Sequence, residues 1–358
     1  MISSFKVVAL LNSVFGFRIK HLGILIFRTI FTCFTCAALC LDRILFPKLK
    51  KKRGNKSLFL IGHLRSGTTF MHRYLSELLP NYRSMLLWEM VFPAISARIA
   101  LKPFLPFMKK VSLGKVWDPS IHKTGFFEPE TDDIALSMRY FDGLLSWIYF
   151  HAWKEYKTDE EFENALKSVV EKDSFVDYLA GVYARNIYFG KQNLFSKSFC
   201  MLFNIDTVRD RFPKAKFILI TRDPVESVTS MLSLEKSVQK NLNNIDTQPE
   251  NLQKRYYRNL YLTSLIYYKK FCEEVKKNSD DILVVSYPEL FSDFEGTMLK
   301  ALSFLGETPT EEALKSIKTQ SEKQKIFSSK HRYSPEEFGF TAEEIKKDFS
   351  FVYEQFRV

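Results

Sequence analysis

Two segments of the chain carry residue types and spacings suited to gripping anions. The first reads Gly62-His63-Leu64-Arg65-Ser66-Gly67-Thr68-Thr69. Gly62 and Gly67 let the backbone curl around an anion, Thr68 and Thr69 add hydroxyl donors, and Arg65 adds a planar cationic fork. A nucleotide-hydrolysing loop of the form G-x-x-x-x-G-K-[ST] places Lys directly after its second Gly. Here Thr68 holds that position, and the cation sits inside the loop as Arg65. The exchange points away from Mg-ATP hydrolysis and towards another phosphate-bearing donor. The second segment is Arg222-Asp223-Pro224, with Ser230 eight residues after Arg222.

Each segment needs a strand before it and a helix after it. Leu58-Phe59-Leu60-Ile61 is an apolar run short enough for a buried parallel strand, and Phe70 to Leu79 carry apolar residues at helical spacing. The helix N-terminus would turn its unpaired N–H groups and positive dipole end to the anion. Residues 216–221, KFILIT, form a second strand candidate. Pro224 suits the first turn of the helix that follows, with Asp223 as its N-cap. Ile282-Leu283-Val284-Val285-Ser286 is a further buried strand, and Leu86-Leu87 a short one that ends at Trp88-Glu89. Residues 236–256 are polar, rich in Asn and Gln, and read as a surface excursion or lid.

Gly62–Thr69 resembles the 5′-phosphosulfate loop of the sulfotransferases that use 3′-phosphoadenosine 5′-phosphosulfate (PAPS). It is closest to the branch that reads R-S-G-T-T where cytosolic members place a lysine. In that family an Arg after a strand and a Ser eight residues on clamp the 3′-phosphate, and Arg222 and Ser230 match both types and spacing. Four shorter pieces are similar to other family segments: Asp42–Pro47 before the first strand, Phe127–Asp133, Phe195–Ser198 with its Lys197, and Lys330–Gly339 with Arg332 and Tyr333. The resemblance runs from about Asp42 to Gly339. It implies a three-layer α/β/α fold of the P-loop type with a central parallel sheet, preceded by an N-terminal apolar helix. It implies PAPS as co-substrate, with Arg65, Ser66, Gly67, Thr68, Thr69, Arg222, Ser230, Arg332 and Tyr333 on the nucleotide.

Sulfuryl transfer needs a proton acceptor for the attacking hydroxyl, stabilisation of charge on the transferring group and leaving phosphate, and in-line placement. Arg65, Lys197 and the loop N–H groups are the candidates for charge stabilisation. Fixed cations do this work without a metal, and no carboxylate pair for Mg²⁺ stands out. The family resemblance makes Glu89 the base. His63, whose side-chain type titrates near neutrality, is the second candidate, and Glu128, Glu130 and Asp133 come third, as bases or as partners of Arg65 or the acceptor.

The rest of the chain sets limits. Its net charge of +11 suits a nucleotide or an anionic lipid surface. Nucleic acid is disfavoured: there is no zinc spacing, base-reading basic helix or aromatic–glycine RNA-binding signature. Cys33, Cys36, Cys40, Cys200 and Cys272 are odd in number and form neither a disulfide framework nor a metal site. Residues 23–41 are apolar but interrupted by Arg28, with Arg18 and Lys20 before them and Lys48, Lys50, Lys51, Lys52 and Arg53 after. A membrane span, an interfacial helix and a helix packed on the protein's own core all remain open, the interfacial reading being the best compromise. Residues 1–53 are therefore expected to form a membrane-associated segment and 54–358 a catalytic domain. The donor is made in the cytosol, which implies the cytoplasmic face of the membrane for a bacterial enzyme and the Golgi membrane for a eukaryotic one. The acceptor class stays open between lipid, glycolipid, glycan and small alcohol. Two other readings compete: a P-loop kinase or NTPase, and a non-catalytic membrane-surface protein with the same fold.

Overall fold

The computed structural model describes residues 2–52, 54–111, 124–190, 192–277, 279–326, 334–356 and 358. Five strands make one parallel sheet: β1 (Ser57–Gly62), β2 (Tyr82–Arg83), β3 (Asn193–Lys197), β4 (Ala215–Thr221) and β5 (Ile282–Ser286). Their order is β2-β3-β1-β4-β5. Period-two alternation with both faces covered explains why β1 is apolar from Leu58 to Ile61. Leu58 and Leu60 pack on one side with Ile218, Ile220, Met71 and Leu75. Phe59 and Ile61 pack on the other with Phe217, Leu219 and a large cluster that includes Trp147 and Tyr256. Helices cover both faces, as parallel strands require.

The register brings the site together. Gly62 lies beside Ile220, Leu60 beside Lys197, and Thr221 beside Ser286. The carboxyl ends of β1, β3, β4 and β5 therefore open on one edge, the usual location of a ligand crevice in such sheets.

Two sequence readings are corrected. Leu86-Leu87 is not a strand: Leu86 makes one isolated bridge with Pro129, and Leu87–Val91 is a short helix. The Glu89 side chain accepts from the Leu86 backbone N–H, an N-terminal cap that favours the helix. Nor is 236–256 an excursion. The helix Pro224–Asn243 runs through its first part and the helix Glu250–Lys276 through its last. Val238, Gln239, Asn243, Ile245, Leu252 and Tyr256 are buried there. Of its polar residues, the buried Asn243 and Gln239 satisfy each other, Asn243 donating to Gln239 Oε1 at 2.7 Å.

At the N-terminus, α1 (Ile2–Phe15) and α2 (Ile19–Leu45) precede the sheet. The buried residues of α2 include His21, Arg28, Thr35 and Asp42, seven apart along one stripe. Asp42 accepts from the Ile95 and Ser96 backbone N–H groups and from Arg185, each at 2.8 Å. Arg28 donates to Met138 O and lies over the Phe141 ring. The opposite side is apolar and exposed, from Ile19 (82%) through Ile26 and Ile30 to Ile44 (76%). This helix is polar inward and apolar outward, the reverse of an ordinary surface helix. By length and composition it could cross a membrane.

Candidate active site

The loop between β1 and α3 (Thr68–Leu78) curls where its sequence allows. Gly67 has φ +91°, and a Cβ there would stand 2.8 Å from the Tyr287 ring. A Cβ on Gly62 would meet Ser66 Oγ at 2.6 Å and Ile220 O at 2.8 Å. Arg65 adopts φ 69°, a left-handed conformation uncommon for a residue with a side chain. Such geometry persists where its surroundings enforce it, often at ligand sites. Its surroundings are specific: Arg65 Nε donates to Ser230 Oγ at 3.0 Å, and Arg65 O accepts from Arg222 Nη1 at 2.6 Å. The Ser66 hydroxyl oxygen is buried with no hydrogen-bond partner.

Arg222 sits just beyond β4, its guanidinium 4.0 Å from the Tyr287 ring centroid. Its Nε and Nη2 donate to Glu226 Oε2 at 3.0 and 2.9 Å. Asp223 caps the following helix, accepting from Val225 and Glu226 N–H. Lys197 ends β3 and is buried. Its Nζ donates to Thr69 Oγ1 at 3.1 Å and lies 3.7 Å from Glu130 Oε2. Burial holds its ammonium below the usual lysine range, with Glu130 working the other way. Arg73 pairs with the same carboxylate at 3.2 Å.

Arg65, Gly67, Thr68, Thr69, Lys197 and Arg222 line one cavity, together with Glu130 and Tyr287. The sequence analysis named the first six for phosphate or charge binding. Thr131 donates to Lys197 O and to Asp133, while Asp133 accepts from the Phe199 and Cys200 N–H groups. The acidic segment thus anchors the end of β3 and turns Glu130 towards Lys197. Asp132 is buried against Ser196 and Tyr183, and burial pushes its carboxyl up to about 7.

Two expected bases lie elsewhere. Glu89 is buried between Arg83 at 2.5 Å and Arg98 at 3.5 Å, beside a groove lined by Trp88, Ile95 and Arg185. It does not line the cavity that holds Lys197. His63 faces inward, with Nε2 2.9 Å from Ser264 Oγ and its ring stacked on Tyr268. Burial lowers its imidazole to about 4. Arg332 and Tyr333 lie outside the described residues. Tyr287, Tyr149 and Glu235 also line the cavity and were not singled out from sequence. For Tyr287 a signal existed, since it directly follows β5 at the sheet edge where the other strands deliver their ligands. Among the described residues no cluster of three or more His, Cys, Asp or Glu is arranged to hold a metal ion.

A parallel sheet with a glycine-bounded loop between strand and helix and three cations at its carboxyl edge is the layout of a P-loop group-transfer enzyme. The model of the sulfotransferase family matches residues 57–312, and the chain belongs to that family and is a sulfotransferase. The fold is similar to that of sulfotransferase STF9 from Mycobacterium avium, with TM-score 0.68 and 18% identity, covering 89% of this chain and 81% of that one. It is also similar to sulfotransferase STF1 from Mycobacterium tuberculosis H37Rv, with TM-score 0.63 and 16% identity, covering 97% of this chain and 92% of that one. No curated protein matches the chain in sequence.

Proposed function

We propose that the enzyme transfers the sulfuryl group of PAPS to a hydroxyl of an amphiphilic acceptor at a membrane surface. The observation that carries the donor assignment is the coupling of two cationic centres in one cavity. Arg222 donates to the backbone of Arg65, and Arg65 donates to Ser230. A nucleotide with phosphates at both ends fits such a pair: Arg222 and Ser230 for the 3′-phosphate, the loop N–H groups with Arg65, Thr68 and Thr69 for the 5′-phosphosulfate. The buried, unpartnered Ser66 hydroxyl and the close approach at Gly67 are what a loop shaped around an anion would carry. By the family resemblance, Arg332 and Tyr333 are also assigned to the nucleotide.

The chemistry then follows from position. Lys197 and Arg65 stabilise charge that builds on the transferring group and the leaving phosphate, in a cavity where their donors are already oriented. Of the carboxylates considered as base, Glu130 lines the cavity, held by Lys197 and Arg73. We assign it the acceptor's proton. Glu89 is committed instead to ion pairs with Arg83 and Arg98.

The apolar outer face of α2 supports the membrane assignment. Its buried polar residues are spent on the protein, as is Lys20 through Leu242 O, and cations flank the helix at both ends, Arg18 before and Lys48 and Lys50 after. A helix of this kind lies in the headgroup region of an anionic bilayer. We read residues 1–53 as this membrane-contacting segment, attached to a catalytic domain of residues 54–358. The test is calorimetry with 3′-phosphoadenosine 5′-phosphate (PAP), followed by radiolabelled sulfate transfer from PAPS to lipid extracts. Micromolar PAP binding and a sulfated amphiphile are expected. Absence of PAP binding at millimolar concentration rules the donor out.

A further inference from the structure

One carboxyl faces the cavity without a partner. Glu235, on the helix Pro224–Asn243, is 1% exposed and lines the same cavity as Arg65 and Lys197. Its Oε2 is buried with no hydrogen-bond partner, and no cation pairs with it among the described residues. Two polar side chains close to it, Gln239 on the same helix and Tyr256, bond elsewhere. Gln239, one helical turn on, donates to Tyr149 O at 3.1 Å and accepts from Asn243 at 2.7 Å, and Tyr256 Oη donates to Ile148 O at 3.2 Å. A buried polar group left unsatisfied costs on the order of 1–3 kcal/mol, so its retention calls for a ligand that satisfies it. Glu235 is five residues beyond Ser230, about 7.5 Å further along the helix axis from the Arg65 contact. The apolar part of the cavity lining is Ile134, Leu145, Leu234 and the Tyr149 ring.

We propose that Glu235 binds the acceptor, exchanging a hydrogen bond with a hydroxyl of a neutral alcohol whose apolar body lies against Ile134, Leu145, Tyr149 and Leu234. The proposal rests on the sulfuryl-transfer reading only in treating the occupant as the acceptor. Burial, with no cation opposite, pushes the Glu235 carboxyl up to about 8. At neutral pH the group keeps its proton and offers both a donor and an acceptor, which is what a hydroxyl offers in return. A cationic acceptor fits less well, because Arg65, Lys197 and Arg222 line the same cavity. The substrate class is therefore a neutral, apolar-bodied alcohol, recognised by one buried carboxyl.

The experiment compares the full-length wild type with Glu235→Leu and Glu235→Gln. Radiolabelled sulfate transfer from saturating PAPS is measured to n-decanol, n-octyl-β-glucoside and n-decylamine. Glu235→Leu raises KM for both alcohols by about tenfold or more, the equivalent of one good hydrogen bond, and leaves kcat within about threefold. Glu235→Gln, which keeps a donor and an acceptor, stays within about threefold of wild type in KM. PAP affinity by calorimetry is the same in all three proteins. An unchanged KM in Glu235→Leu, a preference for decylamine, or no transfer to either alcohol by wild type that binds PAP overturns the proposal. Failure of wild type to bind PAP refutes the donor reading instead. In that case ligand-observed NMR of n-decanol binding tests Glu235 directly, with loss in Glu235→Leu supporting the proposal and equal binding overturning it.

Discussion

Replacing Arg222 by Ala separates two jobs that this side chain holds at once. It is assigned to the 3′-phosphate, and it also braces the loop by donating to Arg65 O at 2.6 Å. A ligand cycle distinguishes them, since PAP carries a 3′-phosphate and AMP does not. A hydrogen bond to a charged group contributes about 1.5–3 kcal/mol, or roughly 10- to 150-fold in affinity. Freeing Arg222 from its ion pair with the half-exposed Glu226 offsets up to about 1 kcal/mol of that. With the full offset, the direct contact leaves about 0.5–2 kcal/mol, so PAP affinity in Arg222→Ala is expected to fall roughly 2- to 30-fold beyond any loss from bracing. AMP has only the bracing effect to lose and is expected to weaken by a smaller factor than PAP in the same variant. Glu226→Gln removes the competitor and is expected to tighten PAP by roughly two- to fivefold. The assay is calorimetry at fixed ionic strength, because exposed charge pairs are screened by salt. Equal losses for PAP and AMP would refute the reasoning and leave Arg222 as a brace for the loop alone.

Further outcomes follow from the same geometry. Glu130→Gln is expected to lower kcat by roughly 10²- to 10⁴-fold while PAP binding holds, read by stopped assays of sulfate transfer; an unchanged kcat removes Glu130 from the proton's path. Gly67→Ala places a Cβ 2.8 Å from the Tyr287 ring at φ +91°, which is expected to cost on the order of 1–3 kcal/mol in stability and to abolish PAP binding. The His63 imidazole is held at about 4 against an ordinary value near 6.5. The unfolded chain therefore takes up a proton first, and the stability contribution present above pH 6.5 is lost as pH falls towards 4. Relative to His63→Gln, wild type is expected to lose about 3 kcal/mol over that interval in denaturant titrations, and parallel curves would contradict the burial argument. Ile26→Glu with Ile30→Glu, on the exposed stripe of α2, is expected to cut co-sedimentation with phosphatidylglycerol vesicles by about tenfold or more without changing thermal stability, whereas unchanged co-sedimentation argues against lipid contact.

The sheet edge was readable in the chain because its signals are local. A four-residue apolar run, a glycine-bounded turn and two threonines specify β1, the loop and α3 with no help from distant residues. The same holds for KFILIT and Arg222-Asp223-Pro224. Tertiary contacts decide the rest. Leu86-Leu87 is too short to separate strand from helix by pattern, and the Glu89 cap resolves it as helix. Whether Glu89 or Glu130 reaches Lys197 depends on how the acidic segment folds back onto β3, through the Asp132 N–H to Lys197 O bond at 2.7 Å. The stretch 236–256 reads as polar, yet Gln239 and Asn243 are buried and bonded to each other while Val238, Ile245, Leu252 and Tyr256 join the core, a condition set by tertiary packing. Glu235 carries no motif, since an unpaired carboxyl is defined by what fails to face it. On α2 the apolar residues are plain in the sequence, but the seven-residue spacing of His21, Arg28, Thr35 and Asp42 gains meaning only once the helix is laid on the protein.

The most direct trial of two cations gripping one nucleotide is a crystal structure of the PAP complex. The account predicts a 3′-phosphate within hydrogen-bond distance of Arg222 and Ser230, and a 5′-phosphate seated on the N–H groups of Ser66 to Thr69 beside Lys197. A nucleotide bound with either phosphate away from those groups, or bound elsewhere on the protein, would contradict it.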